Sequence, residues 1–153
     1  WFPPDKRKPK WEPLPETLFL GIAHSAIAVS DTQRSLSFYR DALNLNIAGR
    51  SHNTGPVQAA LDNLPGADVK ITTLGSDNMG IELLDYLQPS GSRPRNKNWR
   101  ISDLPHRHLI LEVQNLHYSL DTLQHNGAIL SPRIVSFPND YRYAEGRMLQ
   151  DPD

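Results

Sequence analysis

Two histidines stand where chemistry could be done. His24 heads "HSAIAVSDTQRSLSFYRDAL" and His108 heads "HLILEVQNLHYSLDTL"; each stretch alternates apolar residues and then passes into a helical pattern. Either histidine alone is as well explained by a core imidazole bonded to backbone. Their recurrence at equivalent places argues for two rings that act together. The chain has no cysteine, which excludes disulfides, thiolate metal sites and a cysteine nucleophile. A bound metal must then rest on His, Asp and Glu, a donor set suited to divalent ions with mixed nitrogen and oxygen ligands.

The elements that position these rings follow from the same residues. At an offset of 84 residues His24 meets His108, Val29 meets Val113, Asp31 meets Asn115, Ser35 meets Ser119 and Leu36 meets Leu120. Strand alternation puts His24 on one face with Ile22, Ala26 and Ala28, and His108 with Ile110. Ile27, Val29, Leu109, Leu111 and Val113 take the other face, against the helices. Asp31 and Asn115 are N-cap types. Leu36, Tyr39 and Leu43 form one helical stripe, and Leu116, Leu120 and Leu123 form the next, with Gly127 as its stop. The expected fold class is α+β: two βαβββ modules forming a curved mixed sheet around a cleft. Neither module buries its sheet face alone, and both histidines point into the shared cleft.

The remaining segments fit this plan. The first strand spans roughly residues 20–29, and further strands are expected at Leu45–Arg50, Val69–Leu74 and Ile81–Leu87. Residues 51–68 read as a loop with a short helix. "HRHLILEV", "AILSPRIV" and "EGRMLQ" read as strands of the second half. Residues 1–17 hold five prolines and the cluster Lys6, Arg7, Lys8 and Lys10, an extended arm whose Trp1, Phe2 and Trp11 are suited to lie on the body. The domain reading is an arm at 1–17, a first module at 18–89, a basic, turn-rich linker at 90–104 and a second module at 105–153.

Composition excludes several classes. A chain of 153 residues with 38% hydrophobic and 22% charged residues is that of a globular protein. No window approaches the ~20 apolar residues of a membrane span. A net charge of -1 gives no field favouring nucleic acid or anionic lipid. There is no phosphate-binding glycine loop, nucleophile elbow or H-E-x-x-H helix. The start at Trp1 suggests a processed product, and a cytoplasmic protein and a processed secreted form both fit.

Here the residues resemble a known family. "GIAHSAIAVSDTQRSLSFYRDALNLNIAG", "GIELLDYLQP", "HRHLILEVQNLHYSLDTLQHNGA" and "LQDPD" are similar, in order and spacing, to the vicinal oxygen chelate superfamily. That superfamily includes glyoxalases, methylmalonyl-CoA epimerases, extradiol dioxygenases, and bleomycin and fosfomycin resistance proteins. Carried over residue by residue, the resemblance implies one divalent ion (Zn, Ni, Co, Mn or Fe) held by His24, Glu82 and His108, with Glu82, or the fourth ligand expected past Asp153, as the catalytic base. His106, on the face of His108, is an alternative ligand, a donor that orients one, or a strand-end histidine in solvent. Glu112, on that face too, is a competing carboxylate placed further along the strand. In the family "DPDG" leads into a final strand bearing a fourth ligand; "LQDPD" closes this sequence, so the second module is expected without its last strand.

The activity implied is that of a glyoxalase- or epimerase-like lyase or isomerase. The ion would chelate neighbouring oxygens of a small substrate and stabilise an enolate. Two alternatives accompany it: an extradiol-type ring-cleaving dioxygenase with ferrous iron, and a metal-free binding protein of the drug-resistance kind. The resemblance also implies a homodimer that binds a small molecule and neither nucleic acid nor membrane.

Overall fold

The alternation read in the first strand is the one the fold uses. In β1 (His24–Ala28) the side chains of His24, Ala26 and Ala28 are exposed, whereas Ile27 is half-buried and Val29, just past its end, is buried. The computed structural model describes residues 24–76, 79–90, 98, 108–126, 128–138 and 144–152. The Pro-rich arm, nearly all of the linker, His106 and Gly127 lie outside them.

After β1 come α1 (Thr32–Leu36), continued by a wider π-type coil over Ser37–Ala42, then β2 (Ile47–Thr54), α2 (Pro56–Asp62), β3 (Asp68–Ser76) and β4 (Met79–Gln88). The four strands form one curved mixed sheet in the order β1-β4-β3-β2. β1 runs parallel to β4, with Ala26 opposite Glu82, and the other two pairings are antiparallel. A parallel pair needs a long crossover, which α1, β2, α2 and β3 supply. Irregularities between Ile47 and Gly49 and between Asp68 and Val69 break the register of β2 and β3, and such bulges increase local twist.

α1 starts where Asp31 caps it: the carboxylate Oδ1 accepts from the backbone N–H of Gln33 at 2.8 Å and of Arg34 at 3.1 Å. Replacing Asp31 with Ala is expected to cost about 0.5–2 kcal/mol in urea unfolding, with D31N close to wild type. Past Leu36 the helix widens, and the Leu43 N–H donates five residues back, to the Phe38 carbonyl at 2.9 Å. The buried stripe is Leu36, Tyr39 and Ala42; Leu36 and Tyr39 pack with Val29, Leu74, Ile81 and Leu83 into the core.

β2 runs four residues beyond the expected end, into a stretch read as loop. Ser51, His52 and Asn53 carry no apolar signal, but their backbone pairs with Ile71, Lys70 and Val69 of β3. An edge strand tolerates polar side chains on both faces, so pairing decided the matter. The short helix expected in 51–68 is α2. Gly55 (φ 87°) turns the chain, Pro56 opens the helix and the left-handed Asn63 (φ 50°) ends it.

The second half repeats the helix closely. α3 (Leu116–His125) is capped by Asn115, whose Oδ1 accepts from the Tyr118 N–H at 3.0 Å. The Ser119 hydroxyl donates to the Asn115 carbonyl at 2.9 Å, as Ser35 donates to the Asp31 carbonyl at 3.0 Å. Leu120 and Leu123 are buried. Two short ladders follow: β5 (Ile129–Leu130) with β8 (Leu149–Gln150), and β6 (Val135–Ser136) with β7 (Glu145–Gly146).

The strand read in "HRHLILEV" differs. Residues 108–113 carry no regular secondary structure, and Leu109, Ile110, Leu111 and Val113 are 41, 65, 42 and 46% exposed. The expected packing of Leu109, Leu111 and Val113 beneath the helices is therefore not found. β1 is held because β4 lies along it; among the described residues no strand pairs with 108–113. Alternation prepares a strand, and a hydrogen-bonded neighbour makes it one.

Candidate functional site

The sheet has two faces with different tasks. Ile81, Leu83, Thr72 and Leu74 are buried toward α1. Glu82, Leu84 and Tyr86 alternate to the other face, which they share with His24 across the β1–β4 ladder. On that face His24 Nε2 stands 3.4 Å from Glu82 Oε2, with the side chains 39 and 24% exposed. His24 is opposite Gly80, and Ala26 is opposite Glu82. Both neighbours are small. A Cβ placed on Gly80 would lie 3.4 Å from the Leu74 carbonyl oxygen, 3.5 Å from Thr73 Cγ2 and 4.0 Å from His24 Cβ, so glycine leaves room for about one methyl group beside His24.

The far end of this face is closed by α2. The Tyr86 hydroxyl donates to Asp62 Oδ2 at 3.0 Å, and the Gln58 amide donates to the same oxygen at 2.8 Å. Burial, and then the bond to the Asp62 carboxylate, push the Tyr86 phenol up. It therefore stays neutral and works as a hydrogen-bond donor in a wall.

The His24–Glu82 spacing has a chemical meaning. Two ligands at ~2.1 Å from a tetrahedral divalent ion stand about 3.4 Å apart. The nitrogen and oxygen are thus as far apart as neighbours in one coordination shell, and both sit on strands of one ladder. They fit two positions of a divalent site. A third is not brought to them: among the described residues no three His, Asp or Glu side chains gather. His108 stands in the exposed 108–113 segment with Glu112.

The remaining described histidines, His52, His117 and His125, are exposed. His52 pairs with Asp68 at 2.6 Å, His117 with Glu145 at 3.4 Å, and His125 Nδ1 lies 2.6 Å from the Asp121 carbonyl.

One contact was not legible. Glu145 lies in β7, within the expected strand "EGRMLQ", and Asp151, just past β8, accepts a hydrogen bond from the buried Tyr39 hydroxyl. This bond ties the "LQDPD" turn to the helix of the first half. The available signal was a tyrosine in an apolar helical stripe, because a buried phenol usually finds a partner. Tyr39→Phe is expected to cost about 1.5–3 kcal/mol, the range for a bond to a charged group, read by urea unfolding.

Comparison with known proteins agrees with this architecture. The sequence model of the Glyoxalase/Bleomycin resistance protein/Dioxygenase superfamily matches residues 21–153. A glyoxalase family protein from Bacillus cereus is similar in structure, with a TM-score of 0.70 and 20% identity over 83% of this chain and 85% of that one. A glyoxalase family protein from Enterococcus faecalis is similar with a TM-score of 0.60 and 21% identity over 90% of this chain and 94% of that one. At these identities the structural likeness concerns the fold. No curated protein matches. With the mixed sheet, the capped helices and a sequence match over nearly all of its length, the chain belongs to the Glyoxalase/Bleomycin resistance protein/Dioxygenase superfamily.

Proposed function

We propose that the chain is a metal-dependent lyase or isomerase of the glyoxalase and epimerase kind, acting on a small molecule with two neighbouring oxygens. The observation that carries this reading is the 3.4 Å between His24 Nε2 and Glu82 Oε2 on the open face of the sheet. His24 and Glu82 would hold a divalent ion, with His108 as a further ligand and His106 as its alternative. When bound, such an ion supplies Lewis-acid stabilisation of charge on the substrate oxygens.

The chain's own groups do the rest. Glu82 takes a proton from the carbon beside a carbonyl and returns it, as a carboxylate within reach can. The ladder of β1 and β4 fixes the imidazole and the carboxylate relative to each other, which reduces the ordering needed when substrate arrives. The small residues Ala26 and Gly80 admit a ligand between them. α2, anchored through Asp62 to Tyr86, walls off one end.

Two measurements test the proposal together: metal analysis of the purified protein, and solvent-deuterium incorporation into small hydroxy-ketones. The expected result is near one divalent ion per chain and exchange that E82Q abolishes. A protein that takes up no divalent ion and holds an aromatic ligand instead would establish the second reading, a metal-free binding protein. One observation favours that rival: the described residues offer a pair of ligands and not a trio.

A further inference from the structure

The other side of the sheet holds a concavity. α1 packs over β4 there and leaves the outer strands open, and a cavity of about 740 Å³ lies between the start of α1 and strands β2 to β4. Its volume falls in the range of small-molecule sites. Arg50 of β2 and Lys70 of β3 both line it.

Their pairing is unusual. Lys70 stands directly opposite Asp85 on β4 and opposite His52 on β2. Opposite charges so placed ordinarily close into a pair. Here Asp85 Oδ2 accepts from the Thr32 hydroxyl at 2.7 Å, and His52 is turned to Asp68 at 2.6 Å. Among the described residues neither Lys70 nor Arg50 has an ion-pair partner within 4.0 Å. Arg50 faces Thr72, so it is diagonal to Lys70 on the same face. Two cations on neighbouring strands thus confront one cavity. An anion between them relieves their repulsion and gains charge-assisted hydrogen bonds.

The acidic side of the cavity, on β4 beside Lys70 and at the start of α1, narrows the class of ligand. Asp31 and Asp85 line it, and each has one oxygen committed: Asp31 Oδ1 to the cap of α1 and Asp85 Oδ2 to Thr32. Their remaining oxygens repel a second anionic group and accept hydroxyl hydrogens. The geometry points to a second small-molecule site on the back of the sheet, where Arg50 and Lys70 hold the phosphate of a small hydroxylated phosphate ester and Asp31 and Asp85 accept its hydroxyls. This site is on the opposite face from His24 and Glu82.

Titration of the full chain, followed by amide NMR at constant ionic strength, tests it. The probes are inorganic phosphate, glucose 6-phosphate and glucose. Saturable shifts centred on β2 and β3 are expected for both phosphates, tighter for the ester, with none for glucose. R50A and K70A should each weaken binding about 10- to 100-fold, and H24A should leave it unchanged. The proposal fails if the shifts do not saturate, if chloride reproduces them, if glucose binds as well, or if R50A and K70A leave them intact. None of these results touches the metal reading, whose readout is divalent-ion content.

Discussion

Replacing His24 with alanine is expected to weaken divalent-ion binding more than about 100-fold, beyond the 10- to 100-fold typical when an outer partner of a metal ligand is lost. The metal-free protein should unfold within about 0.5 kcal/mol of wild type, because the side chain is 39% exposed and outside the core. Calorimetric titration with zinc, nickel and manganese reads the first quantity. Unfolding with metal in excess reads both, since an ion at 100 times its Kd stabilises the native state by about 2.7 kcal/mol. That gain should be present in wild type and lost in H24A. E82Q should behave in the same way, since it removes the charge and keeps the shape. Full metal content in H24A would end the assignment. H108A decides a further point: loss as deep as in H24A means that the 108–113 segment brings His108 to the ion when metal binds.

Leu83→Ala is expected to destabilise the chain by about 2–5 kcal/mol, the range for large-to-small changes in a packed core. At this chain length that corresponds to a fall in Tm of roughly 5–15 °C. Leu83 is 0% exposed, on the central strand β4, and belongs with Leu36, Leu74 and Val29 to the cluster between sheet and helix. Its removal leaves a cavity that flanking strands, pinned by their ladders, cannot close. Leu111→Ala is the contrast. Leu111 is 42% exposed, so the cost should stay below about 1 kcal/mol. Equal losses in the two variants, measured by urea unfolding, would show that 108–113 is packed as a core strand and not exposed.

Much of this protein was legible from local pattern. The alternation of "HSAIAV" set which face His24 takes, because a strand has a period of two and burial must choose one side. Asp31 and Asn115 announced their helices, and Leu36, Tyr39, Leu120 and Leu123 their buried faces, because capping and amphipathicity act within a few residues. The offset of 84 recovered equivalent caps, down to the Ser35 and Ser119 hydroxyls. Glu82 reached its place beside His24 through resemblance, and its orientation through alternation.

What tertiary structure alone decided were the matters that depend on a distant neighbour. β2 extends to Thr54 because β3 offers partners to polar residues. Residues 108–113, with a better strand pattern, form no ladder because no described strand lies alongside. The 3.4 Å between His24 and Glu82, 58 positions apart, arises from the parallel register of β1 and β4, and the Tyr39–Asp151 bond spans 112 positions. Side-chain period and capping are properties of consecutive residues; register, edge pairing and ligand convergence are properties of what the folded chain sets beside them.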